Sequence, residues 1–225
     1  MVPALLLLGS CASEAYRHIP AYSGLPEYQR AARPFTVTAF RGEAEGQAMP
    51  EWVEHWLEGG IAAVEALAAH QGRHVFISRN EGVNFNALAQ WAQWFIPELD
   101  FPRLAAARIQ ERFLYGVSRP EIVYGPFFVA LVRAASDAPW AGAVKEDYFW
   151  IRREFYLDGN DTPEWNNNSG FTEEDWEFLI LVTIDKDHFA SQLDAVFRDA
   201  RPASQPTREQ QNAANRVIEL FFEGF

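Results

Sequence analysis

The stretch DWEFLILVTID, from Asp175 to Asp185, constrains the fold more than any other part of the sequence. Its middle is an almost continuous run of apolar residues, and acidic residues stand at both ends. A short run of this kind predicts a buried β-strand, because large apolar and β-branched side chains pack well on a pleated surface. We therefore expect the rest of the chain to supply strands that pair with it and helices that cover it.

Other segments supply both kinds of element. Strands are predicted for Pro34–Phe40, Arg73–Asn80 and Asp147–Leu157, which are rich in aromatic and β-branched residues. Helical spacing of apolar residues predicts helices over 50–70, 84–95, 100–117, 120–138 and 187–197, and one near the end that carries Val217, Ile218, Phe221 and Phe222.

Local signals set the expected helix boundaries. Asp100 and Asp187 are predicted N-caps, Pro97 an interruption, and Gly125-Pro126 a break. The Gly59-Gly60 pair weakens the first helix and suggests a close packing contact there. Together these elements predict an α+β fold, with a small, mostly antiparallel sheet of about four strands and several helices packed on one face. This single globular domain would span residues 34–225.

The net charge of the chain excludes one class of partner. The sequence of 225 residues has 31 acidic and 19 basic residues, which gives a formal charge of −12. Binding to nucleic acid needs a basic surface, so we expect no nucleic-acid partner. The same charge disfavours electrostatic adsorption to anionic lipid, so any attachment to a membrane should be covalent or apolar.

The segment LLLLGSCASEA, from Leu5 to Ala15, contains the single cysteine of the chain. An apolar run ends in Leu8-Gly9-Ser10-Cys11, which has the residue types of a lipobox: an apolar residue, two small residues and the cysteine. This pattern is typical of bacterial lipoproteins, in which a diacylglyceryl thioether forms on the cysteine and a signal peptidase cuts before it. The alternative is a Cys11 buried in an apolar N-terminal element.

Lipidation at Cys11 would set the topology of the protein. Residues 1–10 would be a removed signal peptide and residues 11–33 a tether, since this part is polar, rich in turns and without helical period. Two or three acyl chains hold a protein firmly at a membrane. Ala12 is not the aspartate of an inner-membrane retention signal, so the outer membrane is favoured over the inner one.

A polar cluster follows the second predicted strand. Arg79, Asn80 and Asn84 stand between the expected end of that strand and the start of a helix, where unpaired backbone N–H groups bind anions or a ligand carboxylate. The alternative is that both asparagines cap the turn and Arg79 pairs with a nearby acid. The cluster lacks a glycine-rich phosphate loop, so a nucleotide is not expected.

Aromatic residues of the helical middle are a candidate surface for a partner. Trp91, Trp94 and Tyr124 are the residues of this set that we single out, since they could line a groove for a peptide, a glycan or a partner helix. Aromatic residues at helical spacing are more often part of a core, which is the alternative.

The sequence carries little evidence for catalysis. Carboxylates occur as neighbours at Glu146-Asp147 and over Glu173–Asp175, but hydrolysis needs two of them across a cleft. His70 and His74 do not form a His-Glu-x-x-His motif, and no G-x-S-x-G motif occurs. We therefore expect no enzymatic activity, no cofactor and no metal site.

Several of these segments resemble a known group of proteins. The lipobox, the PEWV helix entry and the stretch from EDYFWIRREF to DWEFLILVTIDKDHFASQLDAVF are similar to bacterial envelope lipoproteins of the LPP-twenty kind. The segments NEGVNFNALAQWA and DFPRLAAARI look more like lipoproteins of spirochaete-type bacteria. The resemblance covers about 45–200 and implies a compact α/β domain in the outer membrane or beside flagellar envelope structures. The helical part from Asn84 to Ala138 is longer than that domain needs.

These observations predict a lipid-anchored protein of the periplasm or outer membrane. Its globular domain would be non-catalytic and would serve envelope assembly or contact with another protein. Two alternatives remain: a periplasmic module that binds a small ligand or peptide in an aromatic pocket, and a hydrolase that uses paired carboxylates.

Overall fold

A computed structural model describes residues 35–116, 126–156 and 172–200, and, near the end, residues 205, 207–212 and 215–216. All of them belong to one compact unit, Arg33–Phe225. The predicted signal peptide, Cys11, the tether and Val217–Phe222 lie outside the described residues. No helix of the described ranges combines the length and the apolar character needed to cross a bilayer.

The predicted α+β fold is confirmed. Four antiparallel strands form one sheet in the order β1-β3-β4-β2. The strands are β1 (Phe35–Phe40), β2 (Arg73–Gly82), β3 (Val144–Tyr156) and β4 (Thr172–Asp185). Strands β2 and β4 contain the predicted segments in full, and β1 and β3 contain theirs except for Pro34 and Leu157, which lie outside the described residues.

The apolar strand β4 lies in the interior of the sheet, between β2 and β3. Its residues alternate between the two faces, as strand geometry requires. Phe178, Ile180 and Val182 join one core cluster, whereas Leu179 and Leu181 join a second. The continuous apolar run is thus explained by burial on both faces.

Five helices within residues 35–200 of the described part of the chain cover the two faces of the sheet unequally. They are α1 (Glu51–Glu65), α2 (Phe85–Trp94), α3 (Pro97–Gly116), α4 (Pro126–Asp137) and α5 (Lys186–Asp199). Helices α2 to α5 contribute to the larger core cluster, so several helices pack on one face, as predicted. Helix α1 contributes to the other cluster, and this cover of the opposite face was not predicted. We call the two sides of the sheet the four-helix face and the α1 face.

Aromatic rings form the centre of the core on the four-helix face. The ring of Phe189 from α5 stacks on Trp140 at 4.9 Å between centroids and meets Phe76 of β2 edge-on at 5.6 Å. Phe101 of α3 packs edge-on against Phe76 at 4.8 Å. Stacked and edge-on contacts of this kind stabilise a core beyond the burial of area alone. Phe189 thereby joins α5 to β2 and to the segment before β3.

Helix α1 is shorter than the sequence predicts. It ends at Glu65 instead of His70, and a short 3-10 turn, Ala68–His70, follows it. The helix is also kinked at Gly60, which has φ 66° and ψ −158°. Only glycine adopts this backbone region without strain. At Gly60 the backbone conformation explains the glycine, because a Cβ built there would meet nothing within 4 Å. The predicted close contact occurs at Gly59, where a Cβ would lie 2.8 Å from the Cβ of Ala63.

Helix α3 begins earlier than predicted. Asp100 is not its N-cap, because the helix starts at Pro97, where the fixed φ of proline favours a first turn. The Asp100 carboxylate instead accepts a hydrogen bond from the backbone N–H of Ile96 at 2.8 Å. Pro97 therefore starts the helix, and Pro102 lies within it.

The predicted cap of α5 is also wrong by two residues. Asp185 is the N-cap, since its side chain accepts a hydrogen bond from the backbone N–H of His188 at 2.9 Å. Asp187 lies in the first turn, where a negative charge interacts favourably with the helix dipole. The last residue of β4 therefore also starts the next helix.

Replacement of Phe189 by alanine should lower the free energy of unfolding by about 3–5 kcal/mol, because it leaves a cavity among rings that are fully buried. Chemical denaturation measures this change. Val83→Ala is the control, since Val83 is 78% exposed and its truncation should change stability by less than about 0.5 kcal/mol. Equal stability of Phe189→Ala and wild type would contradict the role of this ring.

Candidate functional site

The secondary structure at the predicted anion site differs from the expected one. Strand β2 continues to Gly82, so Arg79 and Asn80 lie within the strand and only Asn84 starts the next helix. Asn84 caps α2 by accepting from the N–H of Ala87 at 3.1 Å, and Asn80 accepts from the N–H of Glu81 at 3.0 Å. Both asparagines therefore bind neighbouring backbone.

Arg79 contacts acidic side chains. Its guanidinium donates to Glu81 at 2.8 Å and also pairs with Glu177 of β4. These contacts match the alternative in which Arg79 pairs with a nearby acid. Ligand binding at Arg79, Asn80 and Asn84 stays a prediction, and a ligand anion would compete with these carboxylates for Arg79.

Arg79 belongs to a larger group of charged side chains on the α1 face, which we call the sheet ion cluster: Arg79, Glu81, Arg153, Asp175 and Glu177. Its centre is Arg153 of β3, which donates to Asp175 at 2.6 Å and 2.8 Å, to Glu81 at 2.9 Å and to Glu177 at 2.9 Å. Arg153 is only 3% exposed and Glu177 only 2%. Burial acts to lower the pKa of Arg153, but the hydrogen bonds and charges of the three acids outweigh it and raise that pKa. The cluster thus ties three strands together.

A second buried polar group was not predicted from the sequence. Glu65 at the end of α1, His74 of β2 and Arg108 of α3 are all buried and form what we call the edge triad. His74 Nδ1 lies 2.8 Å from one oxygen of Glu65, and Arg108 donates to the other oxygen at 2.7 Å. Arg108 also donates to the backbone carbonyl of Val75 in β2.

The edge triad links the two layers around the border of the sheet. Glu65 comes from the helix of the α1 face, whereas His74 packs against Phe189 on the four-helix face, with 5.4 Å between ring centroids. Strand β2 is at the edge of the described sheet, so its outer backbone groups need partners. Arg108 supplies one at Val75. The triad is therefore placed to close this edge and to fix α1 and α3 against it.

The electrostatics of the triad favour an ionised Glu65. Burial acts to raise the pKa of Glu65, but the hydrogen bond from His74 and the charge of Arg108 outweigh it and lower the pKa from 4.5 to about 2. Because Arg108 balances this charge and all three side chains are buried, the arrangement suits structural ion pairing better than proton transfer to a substrate. His70, which follows α1, has its pKa lowered by burial, while the charge of Glu146 opposes that shift.

Glu146 and Asp147, two of the carboxylates suggested for a hydrolase, have partners among the described residues. Glu146 accepts from Thr183 at 2.6 Å and pairs with Arg73. Asp147 accepts from the indole of Trp52 at 3.2 Å. These contacts join the start of β3 to its neighbours, and catalysis by paired carboxylates stays a prediction. Within the described residues, His, Cys, Asp and Glu side chains form no group of three that could hold a metal ion.

The predicted aromatic surface divides into three parts. Trp91 is partly buried and packs against the core of the four-helix face, so it follows the core alternative. Trp94 is 70% exposed, whereas Tyr124 lies outside the described residues. The structure adds two residues that the sequence reasoning missed: Ile96 is 47% and Leu99 74% exposed. We call Trp94, Ile96 and Leu99 the α2–α3 corner.

Comparisons with known proteins give no relative from which a function could be inferred. No protein-family model matches the chain, and no match was found among curated proteins or solved structures. The resemblance to envelope lipoproteins therefore stays a prediction from the sequence.

The edge triad predicts a specific acid sensitivity. Since the pKa of Glu65 is lower in the folded protein than its usual 4.5, its stabilisation is present above that value and is lost as pH falls toward about 2. Glu65→Gln should therefore be less stable than wild type at pH 7. The difference in unfolding free energy should shrink by about 2 kcal/mol as pH falls from 5 to 2. Urea denaturation at a series of pH values measures it.

Two features make this test specific to Glu65. His70 is present in both proteins, so its titration enters the difference only through the charge of Glu65, which acts to raise the pKa of His70 in the wild type. Glu58→Gln is the matched control, because Glu58 is exposed on the same helix, and its stability should stay within about 0.5 kcal/mol of wild type. A wild-type to Glu65→Gln difference that does not change with pH would contradict the assigned ion pairing.

Proposed function

We propose that this protein is a bacterial envelope lipoprotein, held at a membrane by lipid on Cys11, whose α+β domain acts by contact and not by catalysis. The observation that carries the proposal is the lipobox Leu8-Gly9-Ser10-Cys11 directly behind a short apolar run. The small residues before the cysteine fit a peptidase that cuts there, and the thiol supplies the nucleophile for the thioether.

The charge of the chain supports a covalent anchor. A net charge of −12 is repelled by anionic lipid, so electrostatic adsorption does not account for attachment of this protein to a membrane. Lipid on a cysteine overcomes this electrostatic repulsion, because the apolar acyl chains insert into the bilayer independently of the charge of the domain. Two or more chains make the attachment stable.

The buried charges support a structural domain. Among the described residues, Arg153 and Glu65 have the most strongly shifted pKa values, and both are paired with oppositely charged side chains of other elements. Perturbed groups in an enzyme are generally exposed to a cleft where they meet a substrate. Here they join strands to strands and helices to the sheet. We infer a rigid domain that presents surfaces to the envelope.

Labelling of cells with an alkyne analogue of palmitate tests the anchor. The wild-type protein should carry the label and sediment with the membranes, while Cys11→Ala should lose at least about nine tenths of the label, because no other thiol is present in the chain. In-gel fluorescence after click coupling measures the label. Density-gradient fractionation of the same cells tests the proposed location in the outer membrane.

The control for this experiment is Ser13→Ala, which changes a small polar residue near the cysteine and leaves the lipobox intact. It should label like the wild type. A wild-type protein without label, or a Cys11→Ala variant that keeps it, would refute the lipid anchor.

A further inference from the structure

The α2–α3 corner is an apolar projection on the surface of the four-helix side. Trp94, Ile96 and Leu99 are 70%, 47% and 74% exposed, respectively. Exposed single apolar residues are ordinary, but three of them within six consecutive positions, one of them a tryptophan, form a local patch. The corner joins the last residue of α2 to the first turn of α3.

The backbone places these three side chains on the same side. Phe95 between the helices is extended and buried, with 6% of its surface exposed, so its neighbours Trp94 and Ile96 point away from the core. Leu99 follows Ile96 by three positions, and its N–H donates to the Ile96 carbonyl at 3.0 Å. Residues three apart share one face of a helical turn.

Contacts with the rest of the domain fix the corner in position. Lys145 of β3 donates to the carbonyl of Ala92 at 2.6 Å, where a cation also interacts favourably with the C-terminal end of α2. The Asp100 carboxylate accepts from the N–H of Ile96 at 2.8 Å on the other side of the turn. The apolar side chains are therefore exposed on a turn that hydrogen bonds fix in position, and not on a fraying helix end.

We propose that the α2–α3 corner inserts into the interface of a zwitterionic bilayer, so that the anchored domain lies against the membrane with this corner facing the lipid. This inference rests on the proposed lipid anchor. Tryptophan is the side chain most typical of membrane–water interfaces, because its ring is apolar and its N–H is polar. Leucine and isoleucine beside it add apolar side chains to the same inserted surface.

The size of the patch favours a membrane over a protein partner. Three partly exposed side chains of this size offer on the order of a few hundred Å² of apolar surface. A stable protein interface buries roughly 800 Å² on each partner. Shallow insertion needs less, because an anchor on the same chain already holds the domain at a high effective concentration near the bilayer.

The net charge of the chain selects the lipid. At the corner itself, exposed Glu98 is accompanied by Lys145 and by exposed Arg103, whereas the whole chain has a formal charge of −12. An anionic surface would repel it, whereas zwitterionic headgroups do not. We therefore expect insertion to be stronger in phosphatidylcholine vesicles than in vesicles that contain a large share of phosphatidylglycerol.

The single cysteine allows a direct test on the full chain. Cys11 can be coupled to a maleimide-bearing lipid in phosphatidylcholine vesicles, which supplies an anchor whether or not cells lipidate this residue. Replacement of part of the phosphatidylcholine by its dibrominated form then quenches tryptophans that enter the bilayer. Wild type should show quenching, and Trp94→Phe should lose most of it, which identifies the inserted ring.

Leu99→Glu and Val83→Glu form a matched pair for this measurement. Both replace an exposed apolar residue by the same charge, but Val83 precedes α2 and lies at the opposite end of that helix, about 15 Å along its axis. Leu99→Glu should lower the inserted fraction about tenfold. Burial of one leucine side chain in an apolar phase favours insertion by at least about this factor, and the variant loses it. Val83→Glu should behave like the wild type.

The outcomes separate this proposal from the lipid anchor. Unchanged quenching in Leu99→Glu and Leu99→Gln, with thermal midpoints equal to wild type, would overturn insertion of the corner and leave the labelling result on Cys11 untouched. A wild type that dimerises in solution, with a monomeric Leu99→Gln, would assign the corner to a second copy of the chain and also overturn it. Failure of cellular labelling with quenching intact would refute the anchor alone.

Discussion

Burial of β4 on both faces is the constraint on which the rest of this structure depends. A strand with Phe178, Ile180 and Val182 on one side and Leu179 and Leu181 on the other is stable only between two apolar layers. The chain meets this requirement with four helices on one face and α1 on the other. Because β4 needs neighbours on both sides as well, the connections carry β2 and β3 to opposite borders of it.

The two layers create a second requirement at the border of the sheet. Strand β2 pairs with β4 on one side only among the described strands, and Glu65 at the end of α1 and Arg108 in the middle of α3 lie beside it. Glu65, His74 and Arg108 meet there, and the attraction between Glu65 and Arg108 offsets the cost of removing both charges from water. Such a pair needs specific geometry, so it fixes the position of each helix more narrowly than apolar contacts do.

Sequence reasoning found the strands because each is a local pattern of apolar and β-branched residues. It missed the edge triad because Glu65, His74 and Arg108 are brought together only by the fold and share no spacing along the chain. Helix starts were misplaced at Asp100 and Asp187 for a related reason. Each acid lies next to another start signal, Pro97 or Asp185, and only the backbone shows which of the two begins the helix. The exposure of Leu99 likewise depends on which way α3 faces.

Three places depart from the usual arrangement of apolar residues inside and charged residues outside. Two of them bury charged side chains, and the third exposes apolar ones. In the sheet ion cluster and the edge triad, charged side chains are inside, and each one contacts partners on other elements. Their burial is therefore explained by the fold itself. At the α2–α3 corner, apolar side chains are exposed to solvent, and hydrogen bonds from Lys145 and to Asp100 hold the turn that carries them. The turn is fixed with these side chains outward, which is the arrangement expected of a surface that meets an apolar phase beyond the domain.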